Sequence, residues 1–145
     1  MNLTPIELVR TFYNSLAPGR RQILMELLDP AVVLEIQEGF PGTRSRYTGI
    51  RAYLGDFLFA LYGSFEMQVI PEEFLESGMR VVTLGRQKGR AVLTGVPIDV
   101  PFVHLWTIED GRIVNARLVT DTAVFRDAIA GVPAMEVEKP NIAST

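Results

Sequence analysis

Apolar residues in the first 61 positions recur mostly three and four apart, which is the spacing of helices that bury one face. The run Thr4-Pro5-Ile6-Glu7 marks a helix start, because threonine caps, proline fits the first turn and glutamate completes a capping box. The Val-Val-Leu-Glu-Ile composition of residues 31–37 favours a strand. The predicted elements are helices at 4–17, 20–28 and 49–61, a strand at 31–37 and a loop bordering an opening at 38–49.

Helical spacing stops at residue 64, and alternating apolar and polar residues follow. The pattern predicts strands at 65–74, 79–90, 98–108 and 112–121, and a closing helix at 122–130. Three helices and a strand followed by a strand meander describe an α+β domain, in which helices cover one face of a curved antiparallel sheet. Such a sheet encloses a cavity, the usual form of a small-molecule site. We assign residues 1–130 to this single domain and expect 131–145 to be a loosely ordered tail.

The composition narrows the chemistry of this cavity. The 145 residues include no cysteine and one histidine, which excludes a thiolate nucleophile and a multi-histidine zinc site, so we expect no metal and no cofactor. A net charge of -3 argues against a nucleic-acid partner, which needs a basic surface. The sequence shows no targeting segment and no apolar run long enough for a bilayer, so we expect a cytoplasmic protein with no membrane partner. Small molecules and proteins remain as partners.

The segment Ile108–Arg112 predicts a hairpin with a three-residue loop in which Gly111 adopts the left-handed conformation. Pairing residue 108 with 112 sets which strand residues share a face, and a two-residue turn would shift this pairing by one position. The inward face then carries Phe102, His104, Trp106, Ala116, Leu118 and Thr120. The outer face carries Val103, Leu105, Asn115, Arg117 and Val119, a mixed set that predicts solvent contact or a homodimer interface.

His104, the only histidine, is a candidate for chemistry. Burial among aromatic residues would lower its pKa and leave a neutral imidazole suited to acid/base work or oxyanion stabilisation. The alternative is a structural histidine that bonds a backbone carbonyl or Glu35. Glu35 alternates with Val33 and Gln37, so if it faced the cavity its pKa would rise toward the useful range for a base. The alternative for Glu35 is an outward carboxylate, and Asp121 is expected to cap the closing helix.

Two segments carry a family resemblance: VPFVHLWTIEDGRIV at 100–114 and LVTDTA at 118–123. Together with the Y-x-G loop at Tyr47 and the order of helices and strands, they resemble the SnoaL-like and ketosteroid isomerase-related families of the nuclear transport factor 2-like superfamily. The resemblance covers residues 4–130 and implies a cone-shaped curved sheet, wrapped around the N-terminal helices and enclosing one pocket. Members include isomerases, aldol-type polyketide cyclases, epoxide hydrolases, dehydratases and proteins with no assigned activity.

The resemblance also implies roles for individual residues. His104 looks like the position of the isomerase oxyanion-hole acid and of a histidine in SnoaL-type cyclases, and Glu35 looks like the isomerase general base. Phe12 stands where the isomerase has its oxyanion-hole tyrosine, although Tyr13 beside it could substitute. Leu118 stands where cyclases and epoxide hydrolases carry a catalytic aspartate. Without the tyrosine the isomerase oxyanion hole is incomplete, and without the aspartate the cyclase and epoxide-hydrolase mechanisms lose their base.

The leading hypothesis is a cofactor-free enzyme that moves a proton next to a carbonyl in a small hydrophobic substrate such as a polyketide, steroid or terpenoid. His104 and Glu35 are its predicted catalytic residues. The predicted substrate-binding residues are Phe12, Tyr13, Tyr53, Phe57, Phe102, Trp106, Leu118 and Thr120. The alternative hypotheses are a non-catalytic binding module for a small hydrophobic ligand and a dimeric scaffold of the same fold.

Overall fold

The computed structural model describes residues 3–134, so the predicted tail falls outside the described residues from 135 onward. The helices within this range are α1 (Pro5–Asn14), α2 (Arg21–Leu27), α3 (Leu58–Ser64) and α4 (Thr122–Ile129). The strands are β1 (Leu28–Ile36), β2 (Arg46–Thr48), β3 (Phe65–Ser77), β4 (Arg80–Ala91), β5 (Pro97–Glu109) and β6 (Arg112–Thr120). A π-helical segment, Arg51–Phe57, leads directly into α3. None of the helices in residues 3–134 is long and apolar enough to cross a membrane.

The strands form one curved, unclosed sheet in the order β2-β1-β6-β5-β4-β3. Neighbouring strands are antiparallel except β1 and β6, which run parallel, so the sheet is mixed where the sequence predicted an antiparallel one. A parallel neighbour requires a long connection, and the chain from β2 to β5 provides it. Helix α1 packs against β3 and β4, and α4 packs against β4 and β5. The α+β fold class is thereby confirmed.

Helix α1 begins where the sequence predicts, because Thr4 forms a complete capping box with Glu7. The Thr4 hydroxyl accepts a hydrogen bond from the Glu7 N–H at 3.2 Å, and the Glu7 carboxylate accepts one from the Thr4 N–H at 3.2 Å. Such a cap stabilises a helix by about 1 kcal/mol. The buried residues of its inner face are Leu8, Val9, Phe12 and Tyr13. Asp121 caps α4 as predicted, since its carboxylate accepts from the Ala123 N–H.

The third predicted helix is irregular. Residues 51–57 form π-helical turns, in which each N–H bonds five residues back, and the chain becomes α-helical from Leu58 onward. Tyr53, Leu54 and Phe57 lie on the buried side of this segment. Apolar spacing predicted the helix but not its change of pitch, because residues three and four apart also share a face in a wider turn.

The β5–β6 hairpin differs from its predicted register. Asp110 and Gly111 both have positive φ, 50° and 74°, and form a two-residue turn, so the predicted three-residue loop and its pairing are wrong. A bulge beyond the turn adds a second one-residue shift, and His104 pairs with Leu118. Two shifts of one residue restore the original faces. The predicted inward and outward sets are therefore both confirmed.

The predicted loop at 38–49 contains the short strand β2, which the sequence did not indicate. It pairs with β1, with Tyr47 opposite Leu34. Tyr47 is buried, and its hydroxyl accepts a hydrogen bond from the Arg44 N–H at 2.9 Å. A strand of three residues is too short to give a periodic signal, so alternation could not reveal it.

Candidate functional site

A cavity lies between the inner face of the sheet and the helices α1 and α3. Its apolar walls are Phe12, Leu16, Ile36, Phe40, Phe57, Leu58, Leu61, Val69, Trp106 and Leu118. Its polar groups are Tyr13, Gln37, Tyr53, Tyr62, Gln87, His104 and Thr120. The space between these side chains is about 600 Å³, including its open mouth. A tight apolar enclosure with a few polar groups suits a small organic molecule.

A short hydrogen bond in the cavity joins His104 on β5 to Tyr13 on α1. The phenol oxygen lies 2.6 Å from His104 Nδ1, and both side chains are buried, His104 with 5% exposure. Phe102 stacks on the imidazole with 3.9 Å between ring centroids, and Trp106 meets it edge-on at 6.0 Å. Packing and the hydrogen bond together fix the orientation of the imidazole ring.

Burial decides the charge state of this pair. Desolvation lowers the pKa of His104 to about 3 and raises the pKa of the Tyr13 phenol above its ordinary value, so both groups are neutral at pH 7. A protonated phenol can donate to an imidazole nitrogen, and in that arrangement the imidazole proton lies on Nε2. Every fully buried side-chain nitrogen or oxygen in residues 3–134 has a hydrogen-bond partner, and Nε2 has none there, so Nε2 opens to the cavity. In this tautomer the site offers a neutral N–H donor to a ligand.

Two further polar side chains lie near the phenol. Trp106 Nε1 donates to the Thr83 hydroxyl at 3.2 Å, and the Trp106 ring meets the Tyr13 ring edge-on with 5.6 Å between centroids. Both side chains lower the pKa of Tyr13 against the larger effect of burial. The phenol therefore packs beside a polar pair on β4 and β5.

A second group of polar side chains lies beside the start of α4. The Thr120 hydroxyl is 3.1 Å from the Gln87 side-chain amide and 3.0 Å from the Pro101 carbonyl oxygen. The Thr120 N–H donates to the Gln37 side-chain oxygen at 2.9 Å. Gln87 was missed by the sequence-based prediction, although the charged residues at 86, 88 and 90 alternate with it and imply that it faces inward. That alternation is the signal that could have found it.

Glu35 lies outside this cavity. On β1 the inward positions belong to Leu34 and Ile36, which are buried, so Glu35 between them points to the opposite face. Its side chain is 39% exposed, and its carboxylate lies 3.8 Å from Arg46 Nη1 and 3.5 Å from Asn115 Nδ2. The structure therefore does not bring Glu35 to the histidine, and this position lends no support to a role as base. No carboxylate lines the cavity within the described part of the chain.

All but one of the predicted substrate-binding residues line the cavity. Those that line the cavity with His104 are Phe12, Tyr13, Tyr53, Phe57, Trp106, Leu118 and Thr120. Phe102 does not line it, because its ring lies against the imidazole and over Gly85, where an added Cβ atom would come within 2.6 Å of the ring. Gly85 thus makes room for the ring that supports His104. The substrate-binding role of the lining residues stays a prediction.

Comparisons with known proteins point to one fold. The family model of the SnoaL-like domain matches residues 9–116. A nuclear transport factor 2-like protein of unknown function from Burkholderia pseudomallei is 28% identical, with a TM-score of 0.78 over 86% of this chain and 96% of that chain. TerC, co-crystallised with polyporic acid, is 26% identical, with a TM-score of 0.77 over 88% of this chain and 99% of that chain.

A third solved structure, described as a SnoaL-like polyketide cyclase from a Jannaschia species, shares the fold. It is 24% identical, with a TM-score of 0.77 over 89% of this chain and 93% of that chain. No curated protein sequence matches the chain. The comparisons therefore agree on the fold and do not identify the reaction.

Proposed function

Since the chain belongs to the SnoaL-like domain family, we propose that it is a cofactor-free enzyme acting on a small hydrophobic carbonyl compound of the polyketide, steroid or terpenoid kind. Its reaction is a proton shift next to the carbonyl, as in an isomerase, an aldol-type cyclase or a dehydratase. A relative of the same fold is described as a polyketide cyclase. The observation that carries the proposal is the buried Tyr13–His104 pair, which leaves the imidazole Nε2 facing a largely apolar cavity.

In this mechanism the Nε2–H group of His104 donates a hydrogen bond to the substrate carbonyl oxygen. Negative charge builds up on that oxygen as the neighbouring C–H bond gives up its proton. The donor is already held in place by Tyr13 and Phe102, so it does not reorganise during the reaction. A single donor of this kind accounts for about a 100-fold acceleration.

The choice of substrate follows from the weakness of the available base. A neutral imidazole whose pKa is lowered to about 3 is a poor base, and the cavity residues among 3–134 include no carboxylate. A C–H bond flanked by two carbonyl groups is far more acidic than one beside a single ketone. Such a compound loses its proton to water once the enolate oxygen is stabilised, so β-diketones suit this site best.

Deuterium exchange from heavy water into a panel of cyclic ketones and β-diketones, followed by NMR, tests the proposal. We expect the wild type to accelerate exchange and His104→Phe to lose about 100-fold, because phenylalanine keeps the cavity apolar and has no donor. Lys88→Met, an exposed and outward-facing change on β4, is the matched control. Equal rates in the wild type and His104→Phe on every compound would overturn the proposal.

The same assay tests whether Glu35 takes part in the reaction. Because its carboxylate lies on the outer face of the sheet, we expect Glu35→Gln to change the exchange rate by less than about two-fold. A loss of about 100-fold in this variant would restore the sequence-based assignment of Glu35 as the general base. The isosteric substitution leaves the shape of the outer face unchanged, so either result reports on charge alone.

The second candidate function is a non-catalytic carrier of similar ligands, and the absence of a carboxylate from the described cavity favours it. Polyporic acid, with which TerC was co-crystallised, is the first compound to titrate. Trp106 is the only tryptophan and lines the cavity, so its fluorescence reports binding. Binding of the panel without any acceleration of exchange would select the carrier.

A further inference from the structure

The Gln87 side chain holds a polar atom that no hydrogen bond in residues 3–134 uses. Gln87 is 6% exposed and lines the cavity, and one end of its amide meets the Thr120 hydroxyl. Since every fully buried polar side-chain atom in this range has a partner, the other end of the amide opens to the cavity. An unpaired amide in apolar surroundings is unfavourable, so a leucine would fill a purely structural role better.

The partners of Thr120 decide which end of the amide faces the cavity. The Thr120 hydroxyl has one proton, and the Pro101 carbonyl oxygen at 3.0 Å can only accept it. A half-turn of the Gln87 amide exchanges its oxygen and nitrogen. The structure places Oε1 3.1 Å from the Thr120 hydroxyl, where two acceptors compete for one proton. After the half-turn, Nε2 donates to the hydroxyl and the hydroxyl donates to Pro101. The satisfied arrangement leaves Oε1 facing the cavity.

We propose that Gln87 is a specificity-determining residue whose side-chain oxygen accepts a hydrogen bond from a ligand hydroxyl, while His104 binds a carbonyl oxygen at the other end of the same ligand. The proposal rests on the proposed function for the His104 contact. Gln87 pairs with Val100, four residues from His104 along β5, and its amide reaches back to Thr120. His104 pairs with Leu118, and Thr120 is the next inward residue along β6, so the Cα atoms of His104 and Thr120 are about 7–8 Å apart.

The surface between these two polar groups is apolar. Leu118 lines the cavity there and offers no hydrogen bond. A ligand that reaches both groups therefore needs a rigid apolar frame with one oxygen at each end. The preferred ligands are hydroxy-ketones built on one or two fused rings, and they need a hydroxyl rather than a second carbonyl at the Gln87 end, because an amide oxygen can only accept.

Three compounds that differ at one position test this specificity: 6-hydroxy-2-tetralone, its methyl ether, and 2-tetralone without the substituent. Each is titrated into the protein by calorimetry, so no turnover is needed. We expect the wild type to bind the hydroxyl compound about ten-fold more tightly than the other two, because only the hydroxyl can donate to Oε1. Gln87→Leu should bring the three affinities within about two-fold of one another.

Two more variants keep the test decisive. Lys88→Met changes the outward neighbour on the same strand and should retain the ten-fold preference. If Gln87→Leu does not give a folded protein by circular dichroism, Thr120→Val replaces it, since valine keeps the side-chain shape and removes the hydroxyl that holds the amide. The preference should fall in Thr120→Val as well.

The proposal is overturned if the methyl ether binds the wild type as tightly as the hydroxyl compound, or if the wild type does not bind the hydroxyl compound. A Gln87→Leu variant that keeps the preference also overturns it. Deuterium exchange that depends on His104 can still be observed in each of these cases, so the proposed function would stand. A hydroxyl preference without exchange would instead support Gln87 and contradict the enzymatic reaction.

Discussion

His104 is the residue on which the proposed chemistry depends, and its burial ties the stability of the protein to pH. Desolvation lowers the pKa of the folded imidazole to about 3, whereas an unfolded chain gives histidine a pKa of about 6.5. Between these values the unfolded state therefore binds one more proton than the folded state. Because the folded pKa is the lower one, the contribution to stability is complete above about pH 6.5 and is lost as the pH falls.

We predict that the free energy of unfolding decreases by about 1.4 kcal/mol in total between about pH 7.5 and 5.5, with a slope that steepens as the unfolded histidine takes up its proton. The chain has no second histidine, so this slope belongs to His104 until the carboxylates begin to titrate. Urea unfolding at several pH values between about 7.5 and 5.5 measures it. His104→Phe should remove the slope, and the same slope in that variant would show that the imidazole is not held neutral by burial.

For single residues, the sequence could predict that His104 faces inward but not which way Glu35 points. On β6, the strand opposite His104, Asn115 and Arg117 both lie on the same face of the strand, and their polarity marks that face as the outer one. The strand that carries Glu35 has apolar residues on both phases, Val33 on one and Leu34 on the other, so alternation does not say which face is inward. The packing of β1 between β2 and β6 settles it.

At the scale of elements, the β5–β6 hairpin explains why the predicted face survived an error in register. Asp110-Gly111 fits a two-residue turn, and the same glycine also fits the left-handed position of a three-residue loop, so the sequence does not distinguish them. The bulge next to Thr107 is set by packing and leaves no local sequence mark. Each feature shifts the pairing by one residue, and together they return His104 to the cavity side.

We predict that Gly111→Ala lowers the free energy of unfolding by about 1 kcal/mol, because alanine is disfavoured at a φ of 74°. An added Cβ would meet no atom within 4 Å, so the cost is that of the backbone alone. Gly63→Ala in α3 is the control: it also meets nothing within 4 Å, and it should be neutral or stabilising. Equal stability of Gly111→Ala and the wild type would contradict the turn described here.

At the scale of the whole molecule, the outer face of the sheet leaves apolar side chains uncovered. Val103 and Val119 pair across β5 and β6, and they are 39% and 40% exposed. Burying such a patch against a second copy would remove apolar surface from water, at about 25 cal/mol per Å². We therefore propose that the protein forms a homodimer through this face.

Light scattering tests the dimer. We expect a dimeric mass for the wild type at micromolar concentration and a monomeric mass for Val119→Lys, because a buried unpaired charge disfavours the interface. Leu93→Lys is the control, since Leu93 is 98% exposed but lies in the β4–β5 connection rather than on the sheet face. A monomeric wild type, or a Val119→Lys variant that stays dimeric, would exclude this interface.

The order of elements was enough to predict the α+β fold class and a cavity, but not the parallel pairing of β1 with β6. The site was only partly predictable, because its central contact joins residues 91 positions apart, Tyr13 and His104. The sequence placed Phe12 and Tyr13 side by side without indicating which of them reaches β5. Helix α1 turns both inward, and the packing of α1 on β3 and β4 brings the phenol to the imidazole.

The central claim is that a neutral His104 offers its Nε2 proton to a carbonyl oxygen. NMR of protein carrying nitrogen-15 histidine tests it directly, because the chain has a single imidazole. At pH 7 we predict a protonated Nε2, an unprotonated Nδ1, and a shift of the Nε2 signal when a β-diketone or polyporic acid binds. A charged imidazolium, a proton on Nδ1, or an Nε2 signal that ligand binding leaves unchanged would contradict the claim.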